Sequence, residues 1–226
     1  VLCFETSSGK ILSVEGLYES FNDPEEDIST EITHLTGIDN KMVDGKFIDW
    51  KEVDTIFKSV DIIIAHNASF DRAFIDRFSS ISPSKVWACS ISDIDWLERG
   101  FTSSKQELLC YWHGFYFDAH RAMNDVDALI HLLTFDTGFE RPLIELIKNS
   151  NKSDFIIFAE HFKYDPVKKD TLKGNKYRWN PNDKIWFKKV NLDELEQEKD
   201  WLTVTIYDQV FKGRVEEIIP SNKYKL

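Results

Sequence analysis

The chain reads as an α/β domain followed by a small α+β module, and three observations carry that reading. Residues Ile62–Ala65 form an apolar run too short for a helix and β-branched enough for a buried strand. A helical pattern follows at once, with Phe70, Phe74 and Phe78 recurring at every fourth position. A second buried-strand pattern covers 86–90, so strands alternate with helices along the first two thirds of the chain.

Taken in order, residues 1–5 and 11–14 flank Ser7-Ser8-Gly9-Lys10, a hairpin pattern. Asn22-Asp23-Pro24 ends a further strand, and Ser29 is placed to cap a helix over 30–35. Gly37 stops that helix at the position where a left-handed residue is needed. Asn40 opens a turn through Val43, and residues 50–60 read as an amphipathic helix leading into the central strand. His66-Asn67 breaks that strand, with Asn67 as the expected N-cap of the next helix. Asp71 falls in that helix's first turn, one position off the phenylalanine stripe. On its own it is explained as a carboxylate facing the helix dipole.

Asp93, Asp95 and Glu98 read as a solvated helical face. A helix over 104–112 is stopped at His113-Gly114, with His113 as a cation at the helix C-terminus. Phe115, Tyr116 and Phe117 are expected in the core or at its rim. Ala122, Val126, Ile130 and Leu133 make the stripe of another helix. Asp125 borders that stripe, and His120 stands just before the helix. A short helix over 143–148 precedes Asn149-Ser150-Asn151-Lys152-Ser153, a polar run that marks the domain boundary, giving domains 1–150 and 151–226.

Beyond the boundary come a strand over 155–159, a basic helix over 166–173, a hairpin turning at Pro181-Asn182-Asp183 and a helix from Leu192 to about Tyr207. Arg178, Trp179, Lys184, Trp186, Lys188 and Lys189 interleave cations with tryptophan on that hairpin. Two readings stay open: a nucleic-acid face, or a module whose tryptophans build its own core.

The net charge of −11 conceals an asymmetry. Residues 1–152 carry 14 basic and 26 acidic side chains, whereas 153–226 carry 14 and 13. Within 163–190 there are nine basic and three acidic residues, a net of +6 that suits a phosphate backbone. Cys3, Cys89 and Cys110 lack metal-ligand spacing and read as reduced thiols of a cytoplasmic protein. The aromatic content argues against disorder, and no apolar run is long enough to span a membrane.

His66-Asn67-Ala68-Ser69-Phe70-Asp71, followed by His120 five residues before Asp125, resembles the DEDDh 3′–5′ exonucleases, a family related to the proofreading subunit of bacterial replicative polymerases. The resemblance runs from about Phe4 to Leu133. It implies a ribonuclease H-like fold, a mixed sheet flanked by helices, and hydrolysis of the terminal phosphodiester at a 3′ end to release nucleoside monophosphates. It assigns Asp71 and Asp125 as ligands of a site for two Mg²⁺ or Mn²⁺ ions, and His120 as general base. It also places Thr36, Gly37, Asn67 and Phe70 at the terminal nucleotide. The expected partners are the 3′ end of single-stranded DNA or RNA and a replication or repair protein.

The family carries two further ligands as Asp-x-Glu on an early strand, and this chain has none. Cys3-Phe4-Glu5 precedes a Gly-Lys hairpin that in the family follows the second strand. Residues 1–5 are therefore expected to be that second strand, with the first lying outside the chain, which starts at Val1. Natural loss of both acids is the competing expectation and would leave a catalytically impaired nucleic-acid-binding or scaffold protein. A third reading makes Asp71, His120 and Asp125 a coincidence within some other metal-dependent phosphohydrolase.

Overall fold

The structure is a computed structural model that describes residues 1–119, 121–136, 138 and 140–225. It is mixed α/β and divides into two compact units. One comprises Val1–Ser150 together with the last residues from Tyr224, and the other Asn151–Lys223.

In the first unit β1 (Leu2–Phe4) and β2 (Ile11–Val14) pair as an antiparallel hairpin, with an irregularity between Cys3 and Phe4. Gly9, at φ +66°, takes the turn, and Arg141 Nη1 fastens it by donating to the Ser8 carbonyl at 2.6 Å. Helix α1 (Thr30–Thr36) starts where Ser29 Oγ accepts the Ile32 amide, and stops at Gly37, φ +68°. Asp39 and Asp49 cap α2 (Asn40–Val43) and α3 (Trp50–Ser59) in the same way. Then come β3 (Ile62–Ala65), α4 (Ala68–Ile75), β4 (Val86–Cys89), α5 (Gln106–Trp112), α6 (Ala122–Thr134) and α7 (Pro142–Ser150).

Strands β3 and β4 run parallel in unbroken register, from Ile62 opposite Val86 to Ala65 opposite Cys89. Strand alternation then divides their side chains between two cores. Ile62, Ile64 and Ala88 pack with Leu109 of α5, Ala128 and Leu132 of α6 and Leu146 of α7. Ile63, Ala65, Trp87 and Cys89 pack with Ala68 and Ile75 of α4. Each leucine fully buried there contributes roughly 2 kcal/mol by removing apolar surface from water. The parallel pair is thus covered on both faces, as parallel strands require.

Several expectations change. Instead of one mixed sheet, the described residues of this unit form two separate two-stranded sheets, and β1 pairs with β2 and no other described strand. The expected phenylalanine stripe faces outward: Phe70 and Phe74 of α4 and Phe78 beyond its end are 61%, 50% and 61% exposed, while Ala68 and Arg72 are buried. Asn67 holds the N-cap position at φ +67° without a side-chain cap bond. Asp93 is buried, and its carboxylate accepts the Cys89 amide at 2.8 Å, closing the turn after β4. His113 packs among Phe101, His131 and Phe135, and its pKa is lowered by burial and by the neighbouring His131, so it is no helix-end cation.

The second unit contains β5 (Asp154–Ala159), α8 (Pro166–Gly174), β6 (Arg178–Asn180), β7 (Ile185–Asn191), α9 (Leu192–Thr205) and β8 (Arg214–Ile218). The strands form an antiparallel sheet in the order β6-β7-β5-β8. Asn191 and Glu194 cap α9 reciprocally. Tyr177 and Trp186 are buried against Leu172 of α8 and Leu202 of α9, so this tryptophan serves the module's own core.

Candidate active site

The Asp71 region is built where β3 ends. The chain turns at His66 and Asn67, the positive φ of Asn67 reversing its direction, and α4 begins at Ala68. The Ala68 amide donates to Cys89 Sγ at 3.4 Å, and the Ser90 amide to the Ala65 carbonyl at 3.0 Å. These bonds draw the C-terminal ends of both parallel strands together, the place where open α/β sheets bind ligands. His66 Nδ1 lies 2.7 Å from Ser90 Oγ, and burial lowers the His66 pKa. Ser90 is fully buried, and its carbonyl accepts Trp96 Nε1 at 2.7 Å. Sequence reasoning ended a strand at Ser90 without connecting it to His66, because the contact depends on the parallel register.

Asp71 lies in the first turn of α4. Its carboxyl is half-buried and its pKa is raised, burial being the main cause and its own backbone amide acting weakly the other way. No described cation forms an ion pair with it. A carboxylate left desolvated beside a strand terminus costs stability, a feature that clusters at functional sites.

Helix α6, which carries Asp125, packs on the face of the β3–β4 pair opposite to α4. Asp125 is in that helix's first turn, and its carbonyl accepts Gln106 Nε2 at 2.5 Å, tying α6 to α5. A Cβ at Gly37 would lie 3.9 Å from Arg121 Nε, so the end of α1 meets the start of α6. Thr36 Oγ1 accepts the Ile38 amide at 3.1 Å and fixes that turn. The structure therefore gathers Thr36 and Gly37 beside Arg121, and Asn67, Phe70 and Asp71 at the end of β3. His120, the expected general base, lies outside the described residues.

Among the described residues no group of three or more His, Cys, Asp or Glu is placed to hold a metal ion. Asp71 and Asp125 do not complete a two-metal centre with any described neighbour. No described helix is long and apolar enough to cross a membrane.

Over 65 residues the chain is 40% identical to a PolC-type DNA polymerase III of Bacillus cereus. The match covers 26% of this chain and 4% of that polymerase. No protein-family model matches the chain. No solved structure matches it either.

Proposed function

We propose that the first unit acts as a 3′–5′ exonuclease of the DEDDh type with a ribonuclease H-like arrangement, removing nucleotides from the 3′ end of single-stranded nucleic acid. The observation that carries this reading is the half-buried Asp71 carboxyl, unmatched by any described cation, at the C-terminal ends of a covered parallel strand pair. The similarity to a DNA polymerase III supports DNA as substrate and a replication protein as partner.

In this reading Asp71 and Asp125 each offer a carboxylate to hard divalent cations, Mg²⁺ or Mn²⁺, which would polarise the scissile phosphate. Further acids must join them. His120 takes the proton from the attacking water, a role suited to an imidazole titrating near neutral pH. Thr36 and Gly37 border the terminal sugar. Phe70, 61% exposed beside Asn67, offers a ring face to a base.

A second reading has one observation in its favour, the lack of a three-donor group among the described residues. It is an exonuclease-like fold that binds nucleic acid without cutting it. A labelled single-stranded oligonucleotide, incubated with the protein and Mn²⁺ with its 3′ end free or blocked, separates the two. Shortening confined to the free 3′ end and stopped by EDTA supports the enzyme. Metal-independent binding without shortening supports the binder.

A further inference from the structure

The sheet of the second unit has one face that does not pack against α8 and α9. Strand alternation puts Phe155, Ile157, Ala159, Trp186, Val190 and Val215 on the face that packs against α8 and α9. The opposite face carries a continuous cross-strand row: Arg178 opposite Phe187, Phe187 opposite Phe158, and Phe158 opposite Arg214. The two phenylalanines are half-buried and belong to none of the core clusters.

The charges around the row are specific. Arg214 lies over Phe158, its guanidinium carbon 3.9 Å from the ring centroid, and Glu160 holds it there at 3.6 Å with Glu216. Arg178, at the other end, is exposed and makes no ion pair among the described residues. In the neighbouring row Lys189, opposite Ile156, is ion-paired with Asp154 at 2.6 Å, and Asp154 also receives Lys223 at 3.5 Å. Aromatic rings in line across a sheet, with guanidinium groups at both ends of the line, are what a single strand needs. A duplex has no unstacked bases to offer such a row.

We propose that this face binds single-stranded nucleic acid, with bases stacked on Phe187 and on the Phe158–Arg214 pair and Arg178 taking a backbone phosphate. The site lies within the second unit and does not depend on the proposed exonuclease centre. Its acids, Glu160 and Glu216, limit the attraction, so binding is of moderate strength and depends on stacking more than on charge.

The test uses the whole protein and a short fluorescent oligodeoxythymidylate, read by anisotropy in EDTA so that no metal-dependent contact contributes. Phe187→Leu keeps the apolar bulk but removes the π face, and is expected to weaken binding about tenfold while Phe187→Tyr retains it. Arg178→Ala is expected to weaken binding several-fold and to reduce the slope of log affinity against log salt by about 0.7. Lys173→Ala, on α8 and so behind the sheet, is expected to change nothing. Because Arg178 is exposed, its variant reports on binding even if the phenylalanine variants lower the melting temperature. Affinity unchanged by Phe187→Leu and Arg178→Ala, equal loss in Lys173→Ala, or equal affinity for duplex DNA would each overturn the proposal. Loss of 3′ trimming in an Asp125→Ala protein that still binds the probe in EDTA separates failure of the exonuclease reading from failure of this one.

Discussion

Arg72 and Asp76 form an i,i+4 ion pair, Nε to Oδ2 at 3.0 Å, in which the arginine side chain has no exposed surface. Arg72 also donates to the Pro83 carbonyl at 3.2 Å and lies 5.8 Å from the Trp87 ring centroid. Ser82 Oγ reaches Asp76 at 2.5 Å and accepts Trp87 Nε1 at 3.2 Å, so one polar network joins α4, the turn after it and β4. The arginine therefore takes the inward face of α4, turns Phe70, Phe74 and Phe78 outward and sets the rotation at which Asp71 is presented. A buried guanidinium that loses its carboxylate is left uncompensated, so Asp76→Ala should destabilise the fold by roughly 3 kcal/mol. Arg72→Met, which removes the charge and keeps the bulk, should cost less. Urea unfolding midpoints of the two variants, taken with unchanged m-values, check that order.

Asp71 gives the opposite sign. Its pKa is raised by burial, so the folded state holds its proton more tightly than the unfolded chain. The stability linked to this group is therefore present in full below the ordinary carboxylate pKa and is lost as pH rises through the folded value. Asp71→Asn should stabilise the protein at neutral pH, by up to about 1 kcal/mol, and flatten this acid-side dependence. Melting temperatures of both proteins between acid and neutral pH measure it.

His113 behaves as a buried neutral imidazole. Both its ring nitrogens are buried without a hydrogen-bond partner among the described residues, and burial with His131 nearby lowers its pKa from 6.5. Below that value the unfolded chain binds the proton more readily than the native state. Stability from this group is thus complete above pH 6.5 and falls away as pH drops toward the folded pKa. His113→Phe should remove that slope, leaving a melting temperature less sensitive to mild acid than the parent's.

Gly37 ends α1 at φ +68°, a conformation in which a side chain is strained. Gly37→Ala should cost about 1 kcal/mol, and Gly37→Asn less, because asparagine tolerates the left-handed region. Hydrogen exchange at the end of α1 should quicken in the alanine variant, since its cap is the affected element.

The parts of the fold legible in sequence are those fixed by near neighbours. Ile62–Ala65 became a strand and Ser29 and Gly37 bounded a helix because their signals lie within a few residues. The outward phenylalanines of α4 were misread because the rival for the inward face, Arg72, is made welcome only by Pro83, Trp87 and Ser82 further along. His113 was misread for the same reason, its environment including His131 of α6, whereas Asp93 was misread because its carboxylate turns back to the Cys89 amide instead of facing solvent. Strand β8, Arg214–Ile218, left no readable pattern, since its charged residues fit an edge strand that becomes one only by pairing with β5. At the candidate site, Asp71 and Asp125 were expected from the family resemblance, whereas the Ser90 partner of His66 left no signal in the sequence.

The central claim is that this protein shortens nucleic acid from the 3′ end with Asp71 and Asp125 at the centre of the reaction. The most direct measurement follows a 5′-labelled single-stranded DNA with Mn²⁺ and the full-length protein, beside the Asp125→Ala, Asp71→Asn and His120→Ala variants. The account predicts a ladder of 3′-shortened products and released mononucleotides from the parent protein, suppressed by EDTA and by at least a hundredfold in each variant. No shortening by the parent, shortening from the 5′ end, or trimming that survives both chelation and all three substitutions would contradict it.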